Sequence, residues 1–214
     1  MSEGLSKRLS GTHNVMNNAE AKQFDQMLKR LIPEIVLPRL RQMYPEYEWD
    51  HVTRVYQRDY VYMTNPSYVP SNPNSHIAPD GGVVLCNCIP VLITEAKKQG
   101  TNTKRMQEGK KRQSRGNAIE RAHKNFNELR FYTDFYDHFP YLVFCCGCDF
   151  VPGSSTIDRL AAMTCYDSYN TLHVIDSDSG SKKASVFVQT EPYSADFIVN
   201  QCIEAVRQVI QHLA

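Results

Sequence analysis

Three residues have the types and spacing to do chemistry together: Asp80 in Pro79-Asp80, and Glu95 with Lys97 in Glu95-Ala96-Lys97. Side chains two apart on a strand point the same way, so Glu95 and Lys97 share a face. If the segment after Asp80 pairs with the one carrying Glu95, both carboxylates meet beside one ammonium. Two carboxylates suffice for a hard divalent cation such as Mg²⁺, whose other positions go to water and phosphate oxygens. The chemistry within reach is phosphodiester hydrolysis, in which a cation stabilises charge building on phosphate oxygens and acidifies a bound water. Lys97 would orient or help deprotonate that water and add positive charge beside the phosphate. Taken alone, the pattern fits equally a surface ion pair between Glu95 and Lys97, worth about 0–1 kcal/mol.

The charge around this set is uneven. Between Ala96 and Lys124 stand ten basic residues against Glu108 and Glu120, a net +8, in a chain whose total is +1. The remainder is therefore net acidic. A local cationic surface of this kind suits a phosphate backbone, although a solvated loop has the same composition.

The elements that must position these residues can be read from periodicity. Phe24, Met27, Leu28 and Leu31 recur at helical spacing, and Pro33 and Pro38 are expected to break or bend that helix. The run from His51 to Thr64, mixing aromatic and β-branched residues, reads as strand; the Pro-, Asn- and Ser-rich stretch after it reads as loop. GVVLCNC and PVLITEAK are joined closely enough for an antiparallel pair. A lysine-rich loop follows. Asn117 is placed to cap a helix whose inward stripe is Ile119, Ala122, Phe126 and Leu129. YLVFCCGCDF has the continuous apolar character of a buried central strand. Helix (STIDRLAAMTCY), strand (ASVFVQT) and an amphipathic C-terminal helix complete the chain. This alternation predicts an α/β fold: a central mixed β-sheet flanked by helices. Residues 1–18 form a polar N-terminal arm, and 19–214 a single domain.

Seven cysteines are an odd number and disfavour a closed disulfide framework. Cys145, Cys146 and Cys148 cluster, as do Cys86 and Cys88; a metal role is the lesser reading, and reduced thiols buried as small hydrophobes on strands the favoured one. No apolar run is long enough to span a membrane, and the N-terminus lacks a signal-peptide core, so a cytoplasmic location is expected.

Four segments in order, PDGGVV (Pro79 to Val84), TEAKKQG (Thr94 to Gly100), GNAIERAHKN (Gly116 to Asn125) and HFPYLVF (His138 to Phe144), resemble the EcoRI-like type II restriction endonucleases of the PD-(D/E)xK superfamily. IDRLAA and ASVFVQ are similar too, and the likeness runs from about Pro79 to near the C-terminus. The resemblance implies a restriction-endonuclease-like fold and a homodimer that cuts double-stranded DNA at a palindromic site, accompanied by a cognate DNA methyltransferase. It implies Mg²⁺ held by Asp80, Glu95 and the carbonyl of Ala96, with Asp80, Glu95 and Lys97 catalytic.

The base-reading set it implies is Arg115, Gly116, Asn117, Ala118, Glu120 and Arg121, with Arg121 also steadying Glu120 and Asn117. Their chemistry fits: Asn pairs with adenine N6/N7, Glu accepts from exocyclic amines, and Ala touches a thymine methyl. The block implies an AATT core. Arg115 stands where a CAATTG-cutting member of the family has arginine, so it is the candidate reader of an outer guanine, with Arg112 as second candidate; CAATTG and GAATTC both stay open. Lys98, Lys104, Lys110, Arg112, His123 and Lys124 are candidates for the DNA backbone. The interval from Asp80 to Glu95 is short for the family, which requires a tight hairpin.

Two other readings remain: a DNA-binding module with a vestigial catalytic set, and a repair nuclease of the same fold. Binding alone would not require Asp80, Glu95 and Lys97 together, and structure-specific cutting would not require the GNAIER block.

Overall fold

The computed structural model describes residues 19–59, 67, 71–72, 74–100, 107–109, 117–152, 154–161, 163, 168–175 and 182–214. Five strands form the main sheet: β1 (Trp49–Val52), β4 (Gly82–Cys86), β5 (Ile89–Lys98), β6 (Tyr141–Cys146) and β7 (Ser185–Gln189), in the order β1-β4-β5-β6-β7. The first three are antiparallel neighbours, whereas β5, β6 and β7 run parallel, so the sheet is mixed. Two short strands, β2 (Val55–Tyr56) and β3 (His76–Ile77), pair separately.

Period-two alternation along the strands splits the core into two layers. On one face Val84, Leu92, Ala96, Leu142 and Phe144 pack against α1 (residues 19–43) and α4 (Ala195–Leu213). On the other, Val83, Ile93, Val143 and Cys145 pack against α2 (Asn117–Tyr132) and α3 (Ser155–Ala161). β6 is buried at every position, as its unbroken apolar run predicts. The inward stripe of α2 holds, with Ile119, Ala122, Phe126 and Leu129 all buried. Burying such stripes contributes roughly 1.5–3 kcal/mol for each large aliphatic or aromatic side chain.

The sheet departs from expectation in three places. Pro33 and Pro38 do not end the first helix. It runs on through a π-turn at Ile32–Val36, which re-registers the backbone where a proline N–H is missing. The run expected to be one strand from His51 divides into β1, β2 and a short helical turn at 57–59, and its residues 60–64 lie outside the described set. Asn117 is the first residue assigned to α2 rather than a cap ahead of it.

The hairpin between β4 and β5 turns on Asn87 and Cys88, with φ of 49° and 67°. Both residues are left-handed, as a two-residue turn matching the strand twist requires. Asn87 pays part of that strain back by accepting from the Glu48 N–H at 2.9 Å through its side chain. The loop between α2 and β6 is anchored by the buried Lys182 ammonium, which donates to the carbonyls of Thr133, Tyr136 and His138. Cys86, Cys145, Cys146 and Cys202 are buried reduced thiols, Cys88 is an exposed one, and Cys148 is half-buried with its thiol donating to Asp149 Oδ1. No helix among the described residues is long and apolar enough to cross a membrane. The N-terminal arm lies outside the described residues.

Candidate active site

Register in the β4–β5 hairpin brings the predicted set together. Gly82 pairs with Thr94, and the Gly81 N–H donates to the Thr94 carbonyl at 3.0 Å. Asp80 is thereby set beside the outgoing end of β5. Its Oδ2 accepts from the Ala96 N–H at 3.0 Å and from Lys97 Nζ at 3.3 Å. Lys97 Nζ also donates to Glu95 Oε1 and, at 2.9 Å, to the carbonyl oxygen of Ala96.

The turn that carries Asp80 admits little else than glycine at its next two positions. A Cβ on Gly81 would lie 1.9 Å from Thr94 Oγ1 and 2.9 Å from Ile32 Cγ1. Gly82 has φ of +75°, and a Cβ there would meet His51 Nε2 at 2.6 Å. The PDGG sequence is thus a steric device that lays the Asp80 backbone against β5 and α1.

Three oxygens, from Asp80, Glu95 and the Ala96 backbone, therefore surround a single cationic nitrogen. Among the described residues no group of three His, Cys, Asp or Glu side chains could hold a metal ion. The donor set is instead two carboxylates and a carbonyl, all hard oxygen, and it already converges on a positive charge. That is the chemistry Mg²⁺ takes, so the residues fit the ion.

Burial governs the electrostatics. Glu95 is 3% exposed. Desolvation pushes its pKa up to about 7; Lys97 pulls it back and Asp80 adds to the rise. Burial also pulls Lys97 down, but the attraction of Glu95 and Asp80 outweighs it and leaves the ammonium above its ordinary range. Lys97 is thus held charged at neutral pH, which makes it a donor and a positive charge rather than a base as it stands.

Two participants were not foreseen. Asn125 of α2 donates from Nδ2 at 3.1 Å to Glu95 Oε1, the same oxygen that accepts from Lys97. Asp25 of α1 is half-buried, and its carboxyl is raised first by desolvation and then by the negative charge of Asp80. A single sequence offers no signal for either, because both depend on how helices cross the sheet. Tyr141, on β6, is fully buried, and among the described residues its hydroxyl has no hydrogen-bond partner.

The expected base-reading residues are only partly described. Arg115 and Gly116 lie outside the described residues, and Asn117 and Ala118 are described only in their helical backbone. Glu120 and Arg121 are exposed on the first turns of α2. Glu120 Oε1 lies 3.5 Å from Arg159 Nη1, so Arg159 of α3, and not Arg121, is its ion-pair partner.

Of the backbone candidates, Lys104, Lys110 and Arg112 lie outside the described residues. Lys98 Nζ is paired with Glu20 Oε2 at 2.7 Å, which ties α1 to the end of β5. His123 Nε2 is 2.6 Å from the Arg159 carbonyl oxygen, a tether between α2 and α3. Lys124 is exposed and sits 3.6 Å from Glu128 one turn on.

Comparison with known proteins agrees with this geometry. The family described as "Restriction endonuclease EcoRI" matches residues 10–179. The type II restriction enzyme EcoRI of Escherichia coli is 35% identical over 99 residues, covering 40% of this chain and 36% of that enzyme. The type II restriction enzyme RsrI of Cereibacter sphaeroides is 36% identical over 99 residues, with the same shares. The matched stretch thus spans little more than a third of either relative's length.

Proposed function

The chain belongs to the EcoRI restriction endonuclease family, and on that premise we propose that it is a type II restriction endonuclease. It hydrolyses phosphodiester bonds of double-stranded DNA at a palindromic site with an AATT core. One observation carries the reading: Asp80, Glu95 and the Ala96 carbonyl close around a single cationic nitrogen at the end of the sheet. A structural ion pair would need one carboxylate and no backbone oxygen. The relatives whose printed names are type II restriction enzymes support the same reaction class.

Asp80, Glu95 and the Ala96 carbonyl would hold Mg²⁺. When bound, the ion supplies Lewis-acid stabilisation of the charge that develops on the phosphate. The chain's own residues do the rest. The Ala96 N–H fixes Asp80 and Asn125 fixes Glu95, so both carboxylates stay anchored when Lys97 yields their oxygens to the ion. Lys97 brings a protonated amine to the site, where it can donate to a phosphate oxygen or orient a water. In this reading Asn117, Ala118, Glu120 and Arg121 contact base edges, and Arg115 is assigned to the outer guanine of CAATTG. A homodimer follows from the symmetry of a palindromic site, and a companion methyltransferase would protect the host's own sites.

Supercoiled plasmid incubated with and without Mg²⁺ tests this. Discrete, Mg²⁺-dependent fragments ending at AATT sites are expected. Specific binding without cutting would point to a DNA-binding module, and a smear to a structure-specific nuclease. Duplexes carrying CAATTG, GAATTC or AATT with other flanks then assign Arg115; cutting confined to GAATTC removes that role.

A further inference from the structure

We propose that the cleft walled by Lys29, His51 and Arg54 beside Asp80 is a second phosphate site, which grips the DNA strand next to the phosphate being cut. The inference rests on the nuclease reading above and assigns residues outside the lysine-rich segment.

The cleft has a volume of about 330 Å³ and is lined by Lys29 of α1, His51 of β1, Arg54 from the β1–β2 connection, and the Pro79–Gly81 turn. That volume is at the low end for ligand sites; it takes a phosphodiester group and its water rather than an extended cofactor. Lys29 and Arg54 are exposed, and neither has a salt-bridge partner among the described residues. His51 is held in place, its Nε2 2.9 Å from the Gly81 carbonyl oxygen. The acid on the cleft's edge, Asp80, is already engaged by the Ala96 N–H and the Lys97 ammonium. Asp25, one turn before Lys29, is only half-buried and tempers this field without cancelling two cations.

The position matters as much as the charge. The cleft shares the Asp80–Gly81 turn with the catalytic group, so a strand whose scissile phosphate lies at Asp80 and Glu95 must carry a neighbouring phosphate past it. Cations at the end of a narrow groove raise the local potential for anions. The groups come from two segments, α1 and the end of β1 with its connection to β2, and they meet at the turn that carries Asp80, where a polyanionic substrate backbone would reach them together. Gly82 connects the two sites: its left-handed backbone lets the His51 ring approach the turn.

The test measures duplex binding by the full-length protein in EDTA, where no cleavage occurs, as a function of salt. Wild type, Lys29→Gln, Arg54→Gln and the double variant are compared on an AATT-containing duplex and an unrelated one. Each lost contact should flatten the plot of log affinity against log salt by roughly 0.9, on both duplexes alike. A second arm replaces single phosphates flanking the scissile bond with uncharged methylphosphonates. One such replacement should weaken wild-type binding yet leave the double variant unaffected, which ties the cleft to that phosphate. This arm needs no folded variant to reveal the contact in wild type. Unchanged salt slopes, or methylphosphonate losses as large in the double variant as in wild type, overturn the proposal. Wild type that neither binds nor cuts duplex DNA overturns the nuclease reading, and this inference with it. Wild type that cuts normally while the variants match it removes the cleft alone.

Discussion

Asn125 Nδ2 lies 3.1 Å from Glu95 Oε1, so the helix that opens with the residues proposed to read bases also holds a carboxylate of the proposed catalytic set. Asn125 sits two helical turns after Asn117, on the same α2. That bond couples the position of α2 to the Glu95 carboxylate. Asn125→Ala should therefore slow cleavage by about 10- to 100-fold, the worth of a hydrogen bond to a charged group at roughly 1.5–3 kcal/mol. Duplex affinity in EDTA should change little. Single-turnover cleavage beside equilibrium binding separates these, and equal losses in both would mean Asn125 acts on DNA directly.

Asp80→Asn and Glu95→Gln keep shape while removing one charge each. Cleavage should fall at least about 100-fold in either, with the fold and duplex binding retained. Glu95→Ala differs, since it also removes the side-chain oxygen and leaves Lys97, only 11% exposed, with Asp80 and the Ala96 carbonyl. Breaking a buried pair costs up to about 3–5 kcal/mol, so its melting temperature should drop further than that of Glu95→Gln. Thermal melts of the three variants check the order. If Glu95→Gln cuts like wild type, the carboxylate is structural.

The raised pKa of Glu95 sets a pH dependence with a definite sign. Its ordinary value is 4.5 and its folded value about 7. Between these the unfolded chain has lost the proton while the folded chain keeps it, so metal-free stability falls as pH rises through that window. A divalent cation competes with the same proton and should bind more tightly as pH rises. The gain in melting temperature on adding Mg²⁺ should thus be larger at pH 8 than at pH 6. A gain that is absent at both, or larger at pH 6, would remove Glu95 from the metal's ligands.

How much of this was legible in the sequence depends on the range of the forces involved. Asp80, Glu95 and Lys97 could be placed because alternation on one strand and a short hairpin are local rules. The stripe of Ile119, Ala122, Phe126 and Leu129 is equally local, and it packs as expected. Asn125 closes the GNAIERAHKN block, but its reach to Glu95 is not legible there, because it depends on the angle at which α2 crosses β5. Lys29 is on α1, more than twenty residues before His51 and Arg54, and the three form no charge run. Pro33 and Pro38 mark where the α-register is interrupted, but not the π-turn that lets the helix continue with Ile32 and Val36 buried. Glu120 was expected to be steadied by its neighbour Arg121, yet successive residues on a helix diverge, and Arg159 on α3 is nearer.

Gly81 and Gly82 give a prediction that tests the turn and not the charges. Gly81→Ala places a methyl 1.9 Å from Thr94 Oγ1, against a buried wall that includes Leu28 and Ile32. Overpacking of this kind costs about 1–3 kcal/mol, a fall of roughly 2–4 °C per kcal/mol for a domain of this size. Because the strain falls on the residue next to Asp80, cleavage should suffer more than the melt suggests. Gly82→Ala adds a left-handed φ that alanine rarely adopts. Either variant with wild-type cleavage at a temperature well below its melt would show that Asp80 tolerates displacement.

Glu120 offers the sharpest test of base reading, since it is exposed and its only ion pair among the described residues is a surface one with Arg159. Such a pair contributes about 0–1 kcal/mol, so Glu120→Ala should leave the fold intact. If Glu120 accepts from exocyclic amines of the AATT core, its loss should cost about 1–3 kcal/mol of discrimination between cognate and singly altered duplexes. Affinity for unrelated DNA should stay level or rise, because a negative charge near the backbone is removed. Arg159→Ala separates positioning from contact: freeing Glu120 from its partner should blunt discrimination only partly. Competition binding against each single-base variant of the site measures both. Equal losses on all sequences would assign Glu120 to the surface ion pair, and base reading would then fall to Asn117 and its neighbours.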